Sequence, residues 1–289
     1  MKKTAATLLG IILALIPALR GTAQAPVSSL LWEISGNGLK SPSYLFGTFH
    51  LICKEDFPIS DLLQQKIRSS AQFYGEIAMD DPAIQMKLMS KMMMPDKNLS
   101  DLLPQKDLKQ IQDNFQQITG MPLQLFNNLK PFAALSMATI NSISCPNKTQ
   151  PETEFAAIAK KNNLPMFGLE TVEEQADILN SEPLDSQVHD LSRVLLNFDS
   201  TRQVMSQLVG VYMKRNIDSL YALMESMTGD TFFEKELVTK RNRKWVPLIE
   251  KAMADKPTFF AVGAGHLGGP EGVISLLRQR GYTVTPVKY

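Results

Sequence analysis

The chain has 289 residues, a formal net charge of +1 and charged side chains at 20% of its positions. This balance provides neither the basic surface that binds nucleic acid nor a polybasic segment for an anionic membrane, so we expect a peptide or small-molecule substrate as the partner. After the N-terminal region, apolar runs such as PFAALSMATI are too short to cross a bilayer.

The N-terminal segment MKKTAATLLGIILALIPALRGTAQAPVSS has the layout of a secretory signal. Two lysines precede an apolar run over residues 5–19, and small residues follow that run. The pattern predicts a signal peptide over residues 1–23, with cleavage near 23–25, and a single domain over 26–289. An uncleaved membrane anchor is the alternative. We therefore expect export, to a periplasm or as a secreted protein.

Short apolar runs alternate with longer amphipathic patterns along the rest of the chain. Helices are predicted where apolar residues recur at three- and four-residue intervals, as in DLKQIQDNFQQI and PETEFAAIAKKNN. The alternation predicts an α/β fold with a mostly parallel sheet flanked by helices. Residues 82–147 and 172–255 lack strand-like runs, which predicts helical insertions forming a cap. The predicted strands are Leu31–Ser35, Tyr44–Thr48, Gln72–Ile77, Met166–Leu169, Thr258–Gly263 and Tyr282–Val287.

Side chains able to bind metal follow four of these strands. Two of the three histidines, His50 and His266, complete G-x-x-H motifs, and Glu76 and Glu170 lie at the ends of two further strands. Because ligands bind at the carboxyl ends of strands in open α/β sheets, we expect all four side chains at one sheet edge. Imidazole and carboxylate groups suit a divalent transition metal, so these residues are predicted metal ligands.

Each of these residues also has a structural interpretation. A histidine can cap or fill the end of a buried strand, and a glutamate can stabilise the N-terminus of a helix. The second interpretation suits Glu170, because Thr171 is a natural cap for the helix predicted in LETVEEQ. The structural and functional interpretations can hold together.

The segment GAGHLG matches the dinucleotide-binding pattern G-x-G-x-x-G between a strand and a helix. Such a site needs an acidic residue at the end of the following strand. That strand is predicted in YTVTPV, and no Asp or Glu follows Glu271. Dinucleotide binding is therefore not expected. The motifs G-x-S-x-G, H-E-x-x-H, C-x-x-C and the P-loop are also absent from the sequence.

The two cysteines, Cys53 and Cys145, are expected to form a disulfide, because an even count in an exported chain usually pairs. The alternative is that Cys53, close to His50, is a metal ligand.

Three further features carry weaker signals. The methionine-rich stretch Met86–Met94 is interpreted as a flexible helix packed on the core, although such stretches can bind soft metals or form adaptable surfaces. His189 lies in a helical pattern and is expected at the surface or in a groove. Arg241 and Arg243 are either solvated charges or binders of an anion or carboxylate.

Five stretches spread along the chain carry a resemblance to a known family: LLWEISGNGLKSPSYLFGTFHL, FYGEIAMDDP, PMFGLETVEEQ, LVTKRNRKWVPLIEKAM and FFAVGAGHLGGPEGVISLLRQRGYTVTPV. Together they resemble the TraB/GumN family, which is related to the Tiki proteases that cleave Wnt. The resemblance implies one α/β domain whose site contains His50, His266 and Glu76, with a family arginine at Arg241. It also implies divalent-metal-dependent protease activity.

The leading hypothesis is an exported metal-dependent hydrolase of peptide bonds that uses Mn²⁺, Co²⁺ or Zn²⁺. Glu76 would act as a ligand or general base, and Arg241 would hold a substrate carboxylate or the developing oxyanion. One rival is a protein that sequesters a peptide in the same cleft without turnover. Another is a haem or metal carrier that uses the histidines as axial ligands.

Overall fold

The computed structural model describes residues 29–228 and 232–289. The predicted signal peptide and its cleavage site lie outside these ranges. Every helix within them is too short or too polar to span a bilayer.

A six-stranded sheet forms the centre of the molecule, with the strand order β6-β4-β7-β2-β1-β8. A separate two-stranded sheet pairs β3 with β5. The strands are β1 (Leu31–Ser35), β2 (Ser43–Thr48), β3 (Ile52–Cys53), β4 (Gln72–Gly75), β5 (Lys148–Thr149), β6 (Met166–Gly168), β7 (Thr258–Gly263) and β8 (Thr283–Pro286).

The four strands that precede the predicted metal ligands run parallel to one another. Strand β7 lies between β2 and β4 and is parallel to both, and β6 is parallel to β4. Strand β1 is antiparallel to both of its neighbours, β2 and β8. The mostly parallel sheet expected from the sequence is thus confirmed, and the carboxyl ends of β2, β4, β6 and β7 share one edge.

Helices surround the sheet and fill the two long stretches without strands, as predicted. Short 3₁₀-helical turns lie at Lys54–Asp56, Leu123–Phe126 and Ala264–His266. A π-helical segment spans Phe233–Thr239. The α-helices are α1 (Asp61–Ser69), α2 (Ile84–Met92), α3 (Leu99–Leu102), α4 (Leu108–Thr119), α5 (Pro131–Ile140), α6 (Pro151–Lys161), α7 (Val172–Asn180), α8 (Leu184–Leu196), α9 (Phe198–Met213), α10 (Ile217–Thr228), α11 (Lys240–Asp255) and α12 (Val273–Gln279).

The main hydrophobic core covers both faces of the central strands. Every residue of β2 (SYLFGT) and β7 (TFFAVG) is buried, as expected for parallel strands with helices on both sides. Phe46 packs edge to face on Phe155 of α6, and Phe73 stacks on Phe259. A second hydrophobic cluster joins the helical insertions and includes Leu99, Ile111, Phe115, Ala134, Ala138, Leu191 and Leu195.

A disulfide links Cys53 to Cys145, with their Cα atoms 5.9 Å apart, which confirms the predicted pairing. The sulfur of Cys53 is therefore not a free metal ligand. The bond lies beside the ladder in which Ile52 pairs with Thr149 and Cys53 with Lys148. These two strands were not predicted, because two-residue strands carry no recognisable alternation of apolar and polar residues.

Candidate functional site

The register of the sheet places the two G-x-x-H motifs side by side. Thr48, at the end of β2, pairs with Gly263, at the end of β7. His50 and His266 follow these two residues after two and three positions. The neighbouring strand β4 ends at Gly75, immediately before Glu76. Three of the predicted ligands therefore leave adjacent parallel strands at one edge.

These three side chains converge on the space beside the Cα atom of Gly263. A Cβ atom on Gly263 would lie 3.2 Å from Glu76 Oε1, 3.5 Å from His50 Nε2 and 3.6 Å from the Cδ2 atom of His266. Glu76 Oε1 also accepts the backbone N–H of Gly263 at 2.8 Å and lies 3.9 Å from His266 Nε2. We call this space, bounded by His50, Glu76 and His266, the Gly263 site. Glycine is suited to position 263 because a side chain there would occupy the point of convergence.

His266 is buried, and its orientation is fixed by Asn242. The Nδ1 atom of His266 lies 2.7 Å from Asn242 Oδ1, while the Asn242 amide nitrogen donates to the carbonyl oxygens of His266 and Glu271. The amide oxygen of Asn242 is therefore the acceptor, so Nδ1 carries the proton and Nε2 the lone pair. Burial lowers the pKa of His266 to about 3, which keeps the imidazole neutral.

His50 forms the solvent-facing side of the site, with 71% of its side chain exposed. Its Nδ1 atom lies 2.7 Å from Glu152 Oε1, which also accepts the Thr48 hydroxyl at 2.6 Å. The surrounding protein lowers the pKa of His50 by reducing its hydration. The hydrogen bond to Glu152 and the charge of that carboxylate outweigh this effect and raise the pKa above its ordinary value.

Arg241 connects the two predicted glutamate ligands beneath the site. Its Nη2 donates to Glu76 Oε2 and to Glu170 Oε1, both at 2.6 Å, and its Nη1 lies 3.1 Å from His266 Nε2. The guanidinium is buried, with 8% of the side chain exposed. Arg241 therefore binds two carboxylates of its own chain, and its binding of a substrate carboxylate stays a prediction. Arg243 is exposed and pairs with Glu271.

Glu76 is ionised although it is buried. Burial raises the pKa of Glu76, but His266, His50, Arg241 and the N–H of Gly263 outweigh this and lower it to about 2. Gln175 of α7 adds a hydrogen bond to Glu76 Oε2 at 3.0 Å. The carboxylate thus turns Oε2 towards Arg241 and Gln175 and leaves Oε1 facing the Gly263 site.

Glu170 faces Arg241 with both oxygens. Its other hydrogen bonds come from Gln175 and from the indole N–H of Trp245, whose ring lies 4.4 Å from that of His266. The predicted helix start is also present, because Thr171 caps α7 through a complete capping box. Glu170 thus holds Arg241 in place, and its role as a metal ligand stays a prediction.

The remaining sequence signals lie away from this cluster of contacts. His189 is exposed on α8. The methionine-rich stretch lies in α2 as far as Met92, with Met86 71% exposed and Met92 buried. Sequence reasoning missed Glu152, Asn242 and Gln175, because each lies in an ordinary helical pattern and none directly follows a predicted strand. An acidic residue in the first turn of a helix, such as Glu152, is too common to indicate a site.

Comparison with known proteins identifies relatives that are named TIKI metalloproteases. Metalloprotease TIKI1 of Danio rerio is 26% identical over an alignment that covers 91% of this chain and 64% of that protein. Metalloprotease TIKI1 of Homo sapiens is 26% identical over 90% of this chain and 62% of its own length. The Metalloprotease TIKI homolog of Nematostella vectensis is 24% identical over 92% of this chain and 69% of its own length.

The chain thus spans less than two thirds of the length of the TIKI1 relatives. No solved structure matches it. The sequence profile of the TraB/PrgY/gumN family matches residues 30–286, which is nearly all of the described chain. The chain therefore belongs to the TraB/PrgY/gumN family.

Proposed function

We propose that this protein is an exported metal-dependent hydrolase that cleaves peptide bonds at the Gly263 site. The observation that supports this most strongly is the convergence of His50 Nε2, Glu76 Oε1 and the His266 ring on one point. The relatives named metalloproteases lend support at the level of the family. Mn²⁺, Co²⁺ and Zn²⁺ all accept this combination of imidazole and carboxylate ligands.

The donor groups fit such an ion in three respects. Both histidines use Nδ1 for a hydrogen bond within the protein, which leaves Nε2 as the nitrogen that could bind an ion, although that of His266 accepts from Arg241 in this structure. Glu76 is an ionised carboxylate with Oε1 on the same side. Gly263 leaves the intervening space open. A bound divalent ion would lower the pKa of a coordinated water and polarise a substrate carbonyl.

Other residues of the chain would support this chemistry without touching the ion. Glu76 would serve as a ligand or as the base that accepts a proton from the attacking water. Arg241 holds Glu76 and Glu170 in fixed positions, because its guanidinium donates hydrogen bonds to both carboxylates. His50, at the exposed side, would meet the substrate first. Arg241 as the binder of a substrate carboxylate or oxyanion stays a prediction, since it is surrounded by partners from its own chain.

A second candidate function is the binding of a peptide without turnover. Arg241 Nη1 donates to His266 Nε2 at 3.1 Å, so this contact must be given up before the nitrogen can hold an ion. Within residues 29–228 and 232–289, no three His, Cys, Asp or Glu side chains already lie at metal-binding separation. A carrier of haem or metal is a third candidate, and a Soret band on addition of haem would favour it.

Metal titration distinguishes the first candidate from the others. We expect Mn²⁺, Co²⁺ or Zn²⁺ to raise the melting temperature of the wild type, because a ligand at a hundredfold excess over its Kd stabilises by about 2.7 kcal/mol. His50→Ala, Glu76→Gln and His266→Ala should each lose this stabilisation, together with hydrolysis of an unstructured peptide library. Differential scanning fluorimetry and a fluorogenic peptidase assay provide the two measurements.

His189→Ala is the matched control, because His189 is exposed and is neither of the G-x-x-H histidines. It should behave as the wild type. Equal stabilisation of all four variants would contradict the shared site and favour the peptide-sequestering candidate. Export is tested separately by N-terminal sequencing of the mature protein, which should begin near residue 24 or 26 and not at Met1.

A further inference from the structure

Glu152 is not one of the predicted metal ligands. Among the described residues, however, it is the only hydrogen-bond partner of the His50 side chain. Its carboxylate oxygen Oε1 accepts from His50 Nδ1 at 2.7 Å and from the Thr48 hydroxyl at 2.6 Å. Just 13% of the Glu152 side chain is exposed, whereas 71% of that of His50 is. A largely buried, anchored carboxylate therefore holds an exposed imidazole.

We propose that Glu152 is a positioning residue, which sets the tautomer and orientation of His50 so that Nε2 faces the Gly263 site. This inference rests on the proposed function and deepens it. A carboxylate accepts hydrogen bonds and donates none, so the His50 nitrogen beside it must carry a hydrogen. A metal ion binds an imidazole nitrogen only without its proton, so the hydrogen that Glu152 holds on Nδ1 would leave Nε2 as the nitrogen whose lone pair binds the ion.

The backbone brings Glu152 to this position through the two-stranded sheet. In that antiparallel ladder Ile52 pairs with Thr149, so His50 lies two residues before one strand and Pro151 two residues after the other. Pro151 is the first residue of α6, where proline is favoured, and Glu152 follows in its first turn. The positive end of the helix favours a carboxylate there. The Cys53–Cys145 disulfide joins the same two chain segments.

An independent observation indicates that Glu152 is not present for stability alone. Its second oxygen, Oε2, is buried and has no hydrogen-bond partner within the described part of the chain. A buried acceptor without a partner reduces stability, and such groups call for an explanation other than packing. Thr48 adds to the explanation, because its hydroxyl fixes Oε1 on the side that faces His50.

The test compares metal affinity in substitutions of two glutamates from the same helical turn. Glu152→Gln keeps the shape of the side chain but removes its charge, and Glu152→Ala removes the acceptor. We expect Co²⁺ and Zn²⁺ affinity, measured by competition with a chromophoric chelator, to fall about 10- to 100-fold in both, as for other groups that orient ligating histidines. The visible absorption spectrum of the Co²⁺ form should change as well.

Glu154→Gln is the control, because Glu154 lies two residues later in α6 and accepts the Thr149 hydroxyl at 2.8 Å without touching a histidine. It should bind metal as the wild type does. Equal affinity in Glu152→Gln, Glu152→Ala and Glu154→Gln would overturn the proposal. A loss of the same size in all three would also overturn it, since that pattern reflects general disruption of the helix start.

A second measurement does not require metal binding. In the metal-free protein, a slowly exchanging Nδ1–H signal of His50, assigned by its loss in His50→Ala, should be seen by ¹⁵N-edited NMR in the wild type and in Glu154→Gln. It should disappear in Glu152→Ala. Persistence of the signal there would overturn the role of Glu152. If the wild type binds no metal, the proposed function fails, while loss of this signal would still support positioning of His50 by Glu152.

Discussion

Arg241 and Arg243 lie two residues apart on α11 and contribute to stability in different ways. The Arg241 guanidinium is 8% exposed and lies between Glu76 and Glu170, whose side chains are 7% and 0% exposed. Arg243 and its partner Glu271 are 64% and 36% exposed. Removal of one partner from a buried ion pair leaves the other charge uncompensated, whereas exposed pairs are screened by solvent.

We therefore predict that Arg241→Ala lowers the free energy of unfolding by about 3–5 kcal/mol, the usual cost of breaking a buried pair. Arg243→Ala should lower it by about 1 kcal/mol or less. Urea denaturation followed by circular dichroism measures both. Equal losses in the two variants would contradict the role of Arg241 as the buried partner of Glu76 and Glu170.

At the level of residues, sequence reasoning identified the groups that follow strands and missed the groups that hold them. His50, Glu76 and His266 could be grouped because parallel strands share an edge. Asn242 and Glu152 could not, because they reach the histidines from helices whose packing the sequence does not specify. Arg241 was recognised, but its partners depend on how α11 packs against the ends of β4 and β6.

Among the elements, the small β3–β5 sheet has an effect beyond its size. Together with the Cys53–Cys145 disulfide, it links the segment after His50 to the segment before α6. The bond closes a sequence separation of 92 residues. In the chain-entropy model, a loop of this length corresponds to about 4.5 kcal/mol of stabilisation.

We predict that Cys53→Ser combined with Cys145→Ser lowers the free energy of unfolding by about 2–5 kcal/mol. The wild type in reductant should lose a similar amount, and the double variant should not respond to reductant. Urea unfolding with and without dithiothreitol measures this effect. An unchanged urea midpoint in the double variant would mean that the β3–β5 ladder and its surroundings suffice to hold the two segments.

Element boundaries were predicted less accurately than the elements themselves. Strand β4 was expected to reach Ile77 but ends at Gly75. The reason is the path of the chain after Glu76: a Cβ atom on Gly168 would lie 2.7 Å from the backbone nitrogen of Ala78 and 2.9 Å from the carbonyl carbon of Ile77. The backbone turns across Gly168 there, and this crossing depends on a residue distant in sequence.

For the whole molecule, the two buried titratable groups of the site make stability depend on pH in the same direction. Folding lowers the pKa of Glu76 from 4.5 to about 2 and that of His266 from 6.5 to about 3. The unfolded chain therefore takes up each proton first as the pH falls. His50, with a raised pKa, favours the folded state as the pH falls towards 6.5, and its contribution is constant below that value.

We predict that the metal-free protein loses stability steadily as the pH is lowered from 6.5 to 3. His266 should account for the decline that begins near pH 6.5, and Glu76 should add to it below pH 4.5. Urea midpoints measured in chelator at pH 7, 5.5 and 4.5 test this. His266→Asn should show a smaller decrease between pH 6.5 and 4.5. Stability that rises over this interval would refute the proposed buried, neutral state of His266.

The central position of β7 determines when the protein can fold during synthesis. Gly263 binds Glu76 across 187 positions of sequence, and β2 gains its parallel neighbour only when β7 has been made. Contacts this distant in sequence form late and slowly, whereas the helical insertions can assemble from nearer neighbours. A nascent chain that ends before residue 258 therefore lacks both the middle of its sheet and half of its site. Such a chain stays unfolded at its centre until β7 has been made, although its helical insertions can already be in place.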